Sequence, residues 1–199
     1  MKKAILYIHG KGGSHTEAEQ YKEFCVGFDI IGLDYEDNFP WIVQNQIQSA
    51  YEQLHKEYNQ IYILANSIGA YFAMHTLQQC QIAKALFISP VLDMERLILD
   101  MMQWANVTEQ ELQDQGEIPT FFGEILSWQY LQFVREHPIK WAIPTEILYA
   151  GNDHLTSRQT VDKFAADHNA VLTVMPQGEH WFHTDEQMAF LYDWLKKVI

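Results

Sequence analysis

The chain of 199 residues is long enough for one domain that buries about two-thirds to three-quarters of its unfolded surface. Hydrophobic residues make up 48% of it and aromatic residues 14%, which is typical of a packed globular protein and excludes a disordered one. The net charge is −13 and the 13 Lys and Arg residues are scattered along the sequence, which makes nucleic acid and anionic membranes poor partners because binding either requires a basic patch.

Targeting segments and disulfides are not expected. No stretch approaches the ~20 apolar residues of a membrane span, and the first apolar run, Ala4–Ile8, is too short for the core of a signal peptide. Cys25 and Cys80 have neither metal-ligand nor redox spacing. The expected location is therefore the reducing cytoplasm.

Short apolar runs alternate with amphipathic stretches, which predicts an α/β fold built as a three-layer sandwich. The strands are apolar on both faces, as in a parallel sheet that is covered by helices on both sides. Strands are predicted at 4–8, 28–33, 61–65, 83–89, 146–150 and 170–175, and helices at 16–24, 41–58, 68–79, 157–168 and 185–198. In such a sheet the functional groups gather at the carboxyl ends of the strands.

One region, residues 91–139, interrupts the alternation and contains no convincing strand. It reads as two or three helices: Met94–Ala105, a short helix after Thr108 with a capping box to Glu111, and Gly123–Glu136. We interpret it as a helical insertion within a single domain of residues 1–199.

The loop after the first strand reads His9-Gly10-Lys11-Gly12-Gly13-Ser14. Its residue order fits neither a phosphate-binding P-loop nor a dinucleotide fingerprint. Two interpretations stay open. The glycines either let a backbone N–H approach a developing alkoxide, or they simply form a tight turn.

A serine follows the third predicted strand in Ala65-Asn66-Ser67-Ile68-Gly69, and a helical pattern begins at once. This is the layout of a nucleophile elbow, in which a sharp strand-to-helix turn exposes the serine hydroxyl. Gly69 provides one of the two small residues that the turn requires, while Ala65 replaces the usual first glycine.

Two further candidates follow later strands. Asp153 comes just after the strand at 146–150, and His180 comes just after the last strand. An aspartate there can hold a histidine in the right tautomer, and a histidine can act as general base. Each residue alone could equally be an ordinary loop residue.

Together, the loop at His9, Ser67, Asp153 and His180 follow the chain order of the α/β-hydrolase triad. The sequence thus resembles the α/β-hydrolase family, specifically its small single-domain serine hydrolases, over nearly its whole length. The resemblance implies a sheet of about six strands with a helical cap insertion, Ser67 as nucleophile, His180 as base and Asp153 as acid. It also implies oxyanion donors from the backbone N–H groups of Ile68 and Lys11, and no cofactor.

Alternatives remain at three points. Asp93, after the fourth strand, competes as the acid, and His183 competes as the base. His180, His183 and Asp185 also have a spacing that suits a metal, but a third clear ligand group is missing. We therefore expect no metal site.

The insertion is rich in aromatic residues, which form core more often than pocket. In this family the corresponding position carries a cap, so we expect a subset to line an apolar acyl or alcohol cleft: Trp104, Phe121, Phe122 and Trp128, joined by Trp181. The predicted activity is hydrolysis of a small carboxylic ester. Amide, thioester or carbon–carbon hydrolysis and an inactive binding protein are the alternatives, since a fold alone does not decide function.

Overall fold

The computed structural model describes residues 2–36 and 39–199. Its contacts divide the chain into two compact units, Met1–Leu92 with Lys140–Ile199, and Asp93–Ile139. Within the described residues, every helix is too short or too polar to cross a membrane.

In chain order the described strands are β1 Lys3–Ile8, β2 Asp29–Gly32, β3 Gln60–Asn66, β4 Lys84–Ile88, β5 Glu117–Pro119, β6 Ile125–Ser127, β7 Thr145–Ala150 and β8 Val171–Met175. Six of them, all in the first unit, form one parallel sheet in the order β2-β1-β3-β4-β7-β8. The predicted parallel sheet of about six strands is thereby confirmed.

Helices alternate with these strands as the sequence predicts. They are a 3-10 helix at His15–Tyr21, α1 Pro40–Glu57, α2 Ile68–Leu77, α3 Met94–Ala105, α4 Glu109–Gln115, α5 Trp128–Glu136, α6 Arg158–His168 and α7 Asp185–Val198. The element predicted at 16–24 is the 3-10 helix, and it is shorter than predicted. A capping box between Ser14 and Glu17 fixes its start.

Strand β1 lies inside the sheet and is buried on both faces, from Ala4 to Ile8. Its Ile5 and Tyr7 pack in a cluster with Tyr21 of the 3-10 helix and Trp194 of α7. The alternate residues point to the opposite face, as the pleat of a strand requires. Burial on both sides explains why the strand is apolar throughout.

The second unit differs from the prediction. Besides α3, α4 and α5 it contains an antiparallel hairpin of β5 and β6, so the expectation that 91–139 holds no strand was wrong. The predicted helix at Gly123–Glu136 begins only at Trp128. Gly123 has a φ of 86° in the hairpin turn, and the side chain of Ser127 caps α5 by accepting the N–H of Tyr130.

Candidate active site

Ser67 stands at the sharp turn between β3 and α2. Its φ of 51° and ψ of −121° lie in a region that L-residues rarely adopt. Two backbone hydrogen bonds hold it there, because its N–H donates to the Ile88 carbonyl at 3.0 Å and its own carbonyl accepts the N–H of Val91 at 3.0 Å. Such strain persists only where the surroundings impose it, and it is found at functional sites.

Small residues are needed around this turn because β1 passes close by. A Cβ atom on Gly69 would lie 2.5 Å from the carbonyl oxygens of both Ile8 and His9, so only glycine fits. Ala65, by contrast, is accommodated with its side chain fully buried. The alanine in place of the usual first glycine therefore leaves the elbow intact.

The loops after β7 and β8 are bonded to each other. The N–H of Gly151 donates to the Met175 carbonyl at 2.8 Å, and the N–H of Asn152 donates to the Gly178 carbonyl at 2.9 Å. A Cβ on Gly151 would stand 2.4 Å from the carbonyl oxygen of Pro176. The close approach fixes the loop that carries Asp153 against the loop that leads to His180.

Ser67, His180 and Asp153 form a continuous chain of hydrogen bonds. The Nε2 atom of His180 lies 2.8 Å from Ser67 Oγ, and its Nδ1 atom lies 2.7 Å from Asp153 Oδ2. A carboxylate only accepts hydrogen bonds, so Nδ1 carries the proton and Nε2 accepts from the serine hydroxyl. The ring is thus oriented as a general base requires.

The carboxylate of Asp153 is fully buried, whereas the ring of His180 is 22% exposed. The second carboxylate oxygen, Oδ1, accepts the N–H groups of Leu155 and Thr156 at 2.8 and 3.1 Å. Thr156 in turn donates its hydroxyl to the Pro90 carbonyl at 3.0 Å. The buried charge is therefore hydrogen-bonded through both oxygens, as burial of a carboxylate demands.

The rival residues have other roles in the structure. Asp93 caps α3, where its Oδ1 accepts the N–H of Arg96 at 2.9 Å. His183 is exposed, and its Nδ1 lies 2.7 Å from the Trp181 carbonyl oxygen. The histidine in contact with Ser67 is His180.

The loop after β1 lies beside the elbow. A Cβ on Gly10 would be 3.2 Å from the Cβ of Ser67, so the backbone that continues to Lys11 passes next to the serine. The Tyr35 hydroxyl donates to the His9 carbonyl at 2.6 Å, and its ring stacks on the His9 imidazole at 4.1 Å. Tyr35 was not singled out from the sequence, because nothing in the pattern after β2 links it to this loop.

The N–H of Ile68 is one of the first four of α2, which have no acceptor within the helix. It follows Ser67 directly and lies at the positive end of the helix dipole. Among residues 2–36 and 39–199, no three His, Cys, Asp or Glu side chains are grouped as metal ligands.

Three of the aromatic residues predicted to bind substrate contact one another in the second unit, with Phe122 half-buried between two exposed rings. Phe122 contacts Trp104 and Phe121 edge-to-face, with ring centroids 6.1 and 5.0 Å apart, and Phe121 is 85% exposed. Trp128 is half-buried at the start of α5. In the first unit, Trp181 is 76% exposed and stacks on His183.

Known structures share this architecture, although no family model and no curated protein matches the sequence. Est1E from Butyrivibrio proteoclasticus is similar at a TM-score of 0.77 and 16% identity, over 98% of this chain and 86% of that one. Alpha/beta hydrolase domain-containing protein 10 from mouse is similar at 0.77 and 15%, over 98% and 88%. The Pyrococcus furiosus esterase Pf2001 is similar at 0.64 and 17%, over 99% and 81%. This chain therefore has the α/β-hydrolase fold.

Proposed function

We propose that the protein is a serine hydrolase that cleaves a small carboxylic ester through an acyl-enzyme. The observation that carries the proposal is the chain of hydrogen bonds from Ser67 Oγ through His180 to the buried Asp153 carboxylate, at 2.8 and 2.7 Å. Ser67 has a strained backbone and small residues on either side, and the His180 base is within hydrogen-bond distance of its hydroxyl. This arrangement activates a hydroxyl as a nucleophile.

In the proposed reaction, Ser67 Oγ attacks the ester carbonyl carbon while His180 Nε2 takes the hydroxyl proton. The backbone N–H groups of Ile68 and Lys11 stabilise the oxyanion, and one such donor is typically worth about 3 kcal/mol. His180 then returns the proton to the leaving alcohol. Water, activated by the same histidine, releases the acid and restores the serine.

The choice of an ester rests on the structural neighbours. Pf2001 is named an esterase, and one structure of Est1E holds ferulic acid. At 17% identity these names support a bond type only as a proposal for this chain. Amides and thioesters pass through the same tetrahedral intermediate, so they are included in the test.

Labelling with a fluorophosphonate probe tests the nucleophile. The wild type should be labelled once, at Ser67, and Ser67→Ala should not react. Ser49→Ala is the matched control because Ser49 is exposed on α1, and it should be labelled like the wild type. A wild type that stays unlabelled contradicts the proposal and favours a binding protein.

The bond type is tested with matched p-nitrophenyl ester, thioester and anilide substrates that share one acyl group. We expect turnover of the ester to exceed that of the other two, and we expect Ser67→Ala to abolish it. If the anilide or the thioester is the best substrate, the ester assignment is wrong while the nucleophile assignment stands.

We also propose that Trp104, Phe121, Phe122, Trp128 and Trp181 bind the apolar part of the substrate. Phe121 and Trp181 are 85% and 76% exposed, and exposed apolar side chains of this size favour a binding role. Longer acyl chains on p-nitrophenyl esters should therefore lower KM. Phe121→Ala and Trp181→Ala should weaken that dependence, and a KM independent of chain length contradicts the proposal.

A further inference from the structure

A partly buried chain of polar side chains connects the loop after β1 with the residue that precedes Ser67. It consists of Glu17 in the 3-10 helix, Tyr7 in β1 and Asn66 at the end of β3. The Tyr7 hydroxyl donates to Glu17 Oε2 at 2.5 Å, and the Asn66 side-chain amide donates to the Tyr7 oxygen at 2.9 Å. The donors and acceptors alternate consistently along the chain.

The other carboxylate oxygen of Glu17 binds the loop itself. Oε1 accepts the backbone N–H of Ser14 at 3.2 Å, which completes the capping box of the 3-10 helix. A Cβ on Gly13 would lie 2.8 Å from this oxygen, so the loop approaches the carboxylate closely. Glu17 therefore contacts the loop with one oxygen and the sheet interior with the other.

Tyr7 is well suited to act as a fixed link. Its side chain is fully buried, and its ring packs against Tyr21 at 5.4 Å between centroids. Burial raises the pKa of Tyr7 well above its usual range, so the hydroxyl stays protonated and donates to the carboxylate. A hydrogen bond to a charged acceptor in such surroundings holds its geometry more firmly than one in water.

We propose that Glu17, Tyr7 and Asn66 are positioning residues that set the loop carrying Lys11 against the Ser67 elbow. The inference rests on the proposed function. The two oxyanion donors belong to separate segments, the loop after β1 and the start of α2, and stabilisation of the oxyanion requires both at fixed distances. The hydrogen bonds of Glu17, Tyr7 and Asn66 connect those two segments, since Glu17 binds Ser14 of the loop and Asn66 directly precedes Ser67.

Two substitutions interrupt the chain. Tyr7→Phe keeps the ring and its packing but removes the hydroxyl, and with it the hydrogen bonds to both Glu17 and Asn66. Glu17→Gln keeps the capping box through its amide oxygen, but it puts an NH2 donor where Oε2 accepts the Tyr7 hydroxyl. Tyr58→Phe is the matched control, since it removes an exposed tyrosine-to-carboxylate hydrogen bond, from Tyr58 to Asp29 at 2.9 Å.

The measurements are the rate constant of fluorophosphonate labelling and kcat and KM for p-nitrophenyl butyrate. Both variants lose the hydrogen bond from Tyr7 to Glu17, so each should lower kcat and the labelling rate by about tenfold, with KM within about twofold. The double variant should be no slower than the slower single variant, because both act on one chain. Tyr58→Phe should match the wild type.

Unfolding in urea, measured on the same variants, separates positioning from stability. If Tyr7→Phe lowers the free energy of unfolding but leaves kcat and the labelling rate at the wild-type values, the chain is structural and the proposal is overturned. Loss of kcat in Tyr58→Phe would overturn it as well. If the wild type itself shows no labelling that depends on Ser67, the proposed function fails, and this inference fails with it.

Discussion

Gly69 and His9 approach each other so closely that a single added methyl group has no room. A Cβ on Gly69 would lie 2.5 Å from the His9 carbonyl oxygen, and that oxygen also accepts the Tyr35 hydroxyl. The carbonyl oxygens of His9 and Ile8 that this Cβ would meet are backbone atoms, so the backbone itself must move to make room. The elbow and the loop after β1 are therefore packed as one unit.

Gly69→Ala should push the loop away from the elbow. We expect a loss of roughly 2 kcal/mol or more in the free energy of unfolding, the range for strain at a crowded position, together with a loss of at least about 100-fold in kcat. The reverse exchange, Ala65→Gly, is the control, since it should cost only about 0.5–1 kcal/mol and leave kcat nearly unchanged. Equal effects of the two exchanges would contradict this account of the elbow.

Asp153→Asn and Asp93→Asn should separate the two candidate acids. Asparagine at 153 cannot act as a charged partner for His180, and we expect kcat to fall by about 10⁴-fold, as in the triad template. Asparagine at 93 still caps α3, because Asn and Asp are equally good N-caps, so stability and kcat should change little. Steady-state kinetics on a p-nitrophenyl ester decide the assignment, which is wrong if Asp93→Asn is the damaging change.

Cys25 should make stability depend on pH in alkaline solution. Burial raises the pKa of its thiol to about 12, whereas the pKa of an unfolded cysteine is about 8.5. At a pH between these two pKa values, the Cys25 thiol is deprotonated in the unfolded chain but stays protonated in the folded chain. The free energy of unfolding should therefore fall as the pH rises, by up to about 1.4 kcal/mol per pH unit from this group.

Urea unfolding of the wild type and of Cys25→Ala under reducing conditions, from pH 8 to pH 10, measures this contribution. The wild type should lose stability more steeply than the variant, since the remaining groups that titrate are common to both. Parallel curves would show that the thiol titrates alike in the folded and unfolded chains.

Arg135 should stabilise the second unit locally. Its guanidinium binds Glu95 at 2.7 Å and Glu109 at 2.6 Å, and so it connects α5 with α3 and α4. The same contact lowers the pKa of Glu109. Each pair is partly exposed and is worth less than about 1 kcal/mol. Arg135→Gln should therefore raise amide hydrogen exchange in α4 while exchange in β1 and β3 stays unchanged, and a uniform increase would contradict a local role.

The parallel sheet could be predicted because its signal is local. Runs such as Ala4–Ile8 are apolar on both faces, and the elbow sequence marks its own strand-to-helix turn. Ser67, Asp153 and His180 each follow a predicted parallel strand, which predicts that all three lie at the carboxyl-terminal edge of the sheet. The hydrogen bonds between these three residues follow from the parallel register, which carries all three to that edge.

Other features depend on contacts that no local pattern reveals. Strands β5 and β6 have three residues each, too few to show an alternation, and they exist because of the turn at Gly123. Asp93 and Asp153 both follow strands, and only the tertiary structure distinguishes a helix cap from a partner of His180. The link from Glu17 to Asn66 passes through Tyr7, which reads in the sequence as one more apolar strand residue.

The residues of the candidate site follow strands at different positions in the sheet. Ser67 follows β3, a strand with neighbours on both sides, whereas His180 follows β8, which among the described strands pairs with β7 alone and keeps Val171 56% exposed. Edges of a fold open at lower free energies than its centre. We therefore expect His180 to separate from Ser67 and Asp153 first during partial unfolding. Activity should therefore be lost at a lower denaturant concentration than the one that exposes Tyr7, the buried tyrosine of β1. Inactivation and global unfolding should then be two separate transitions.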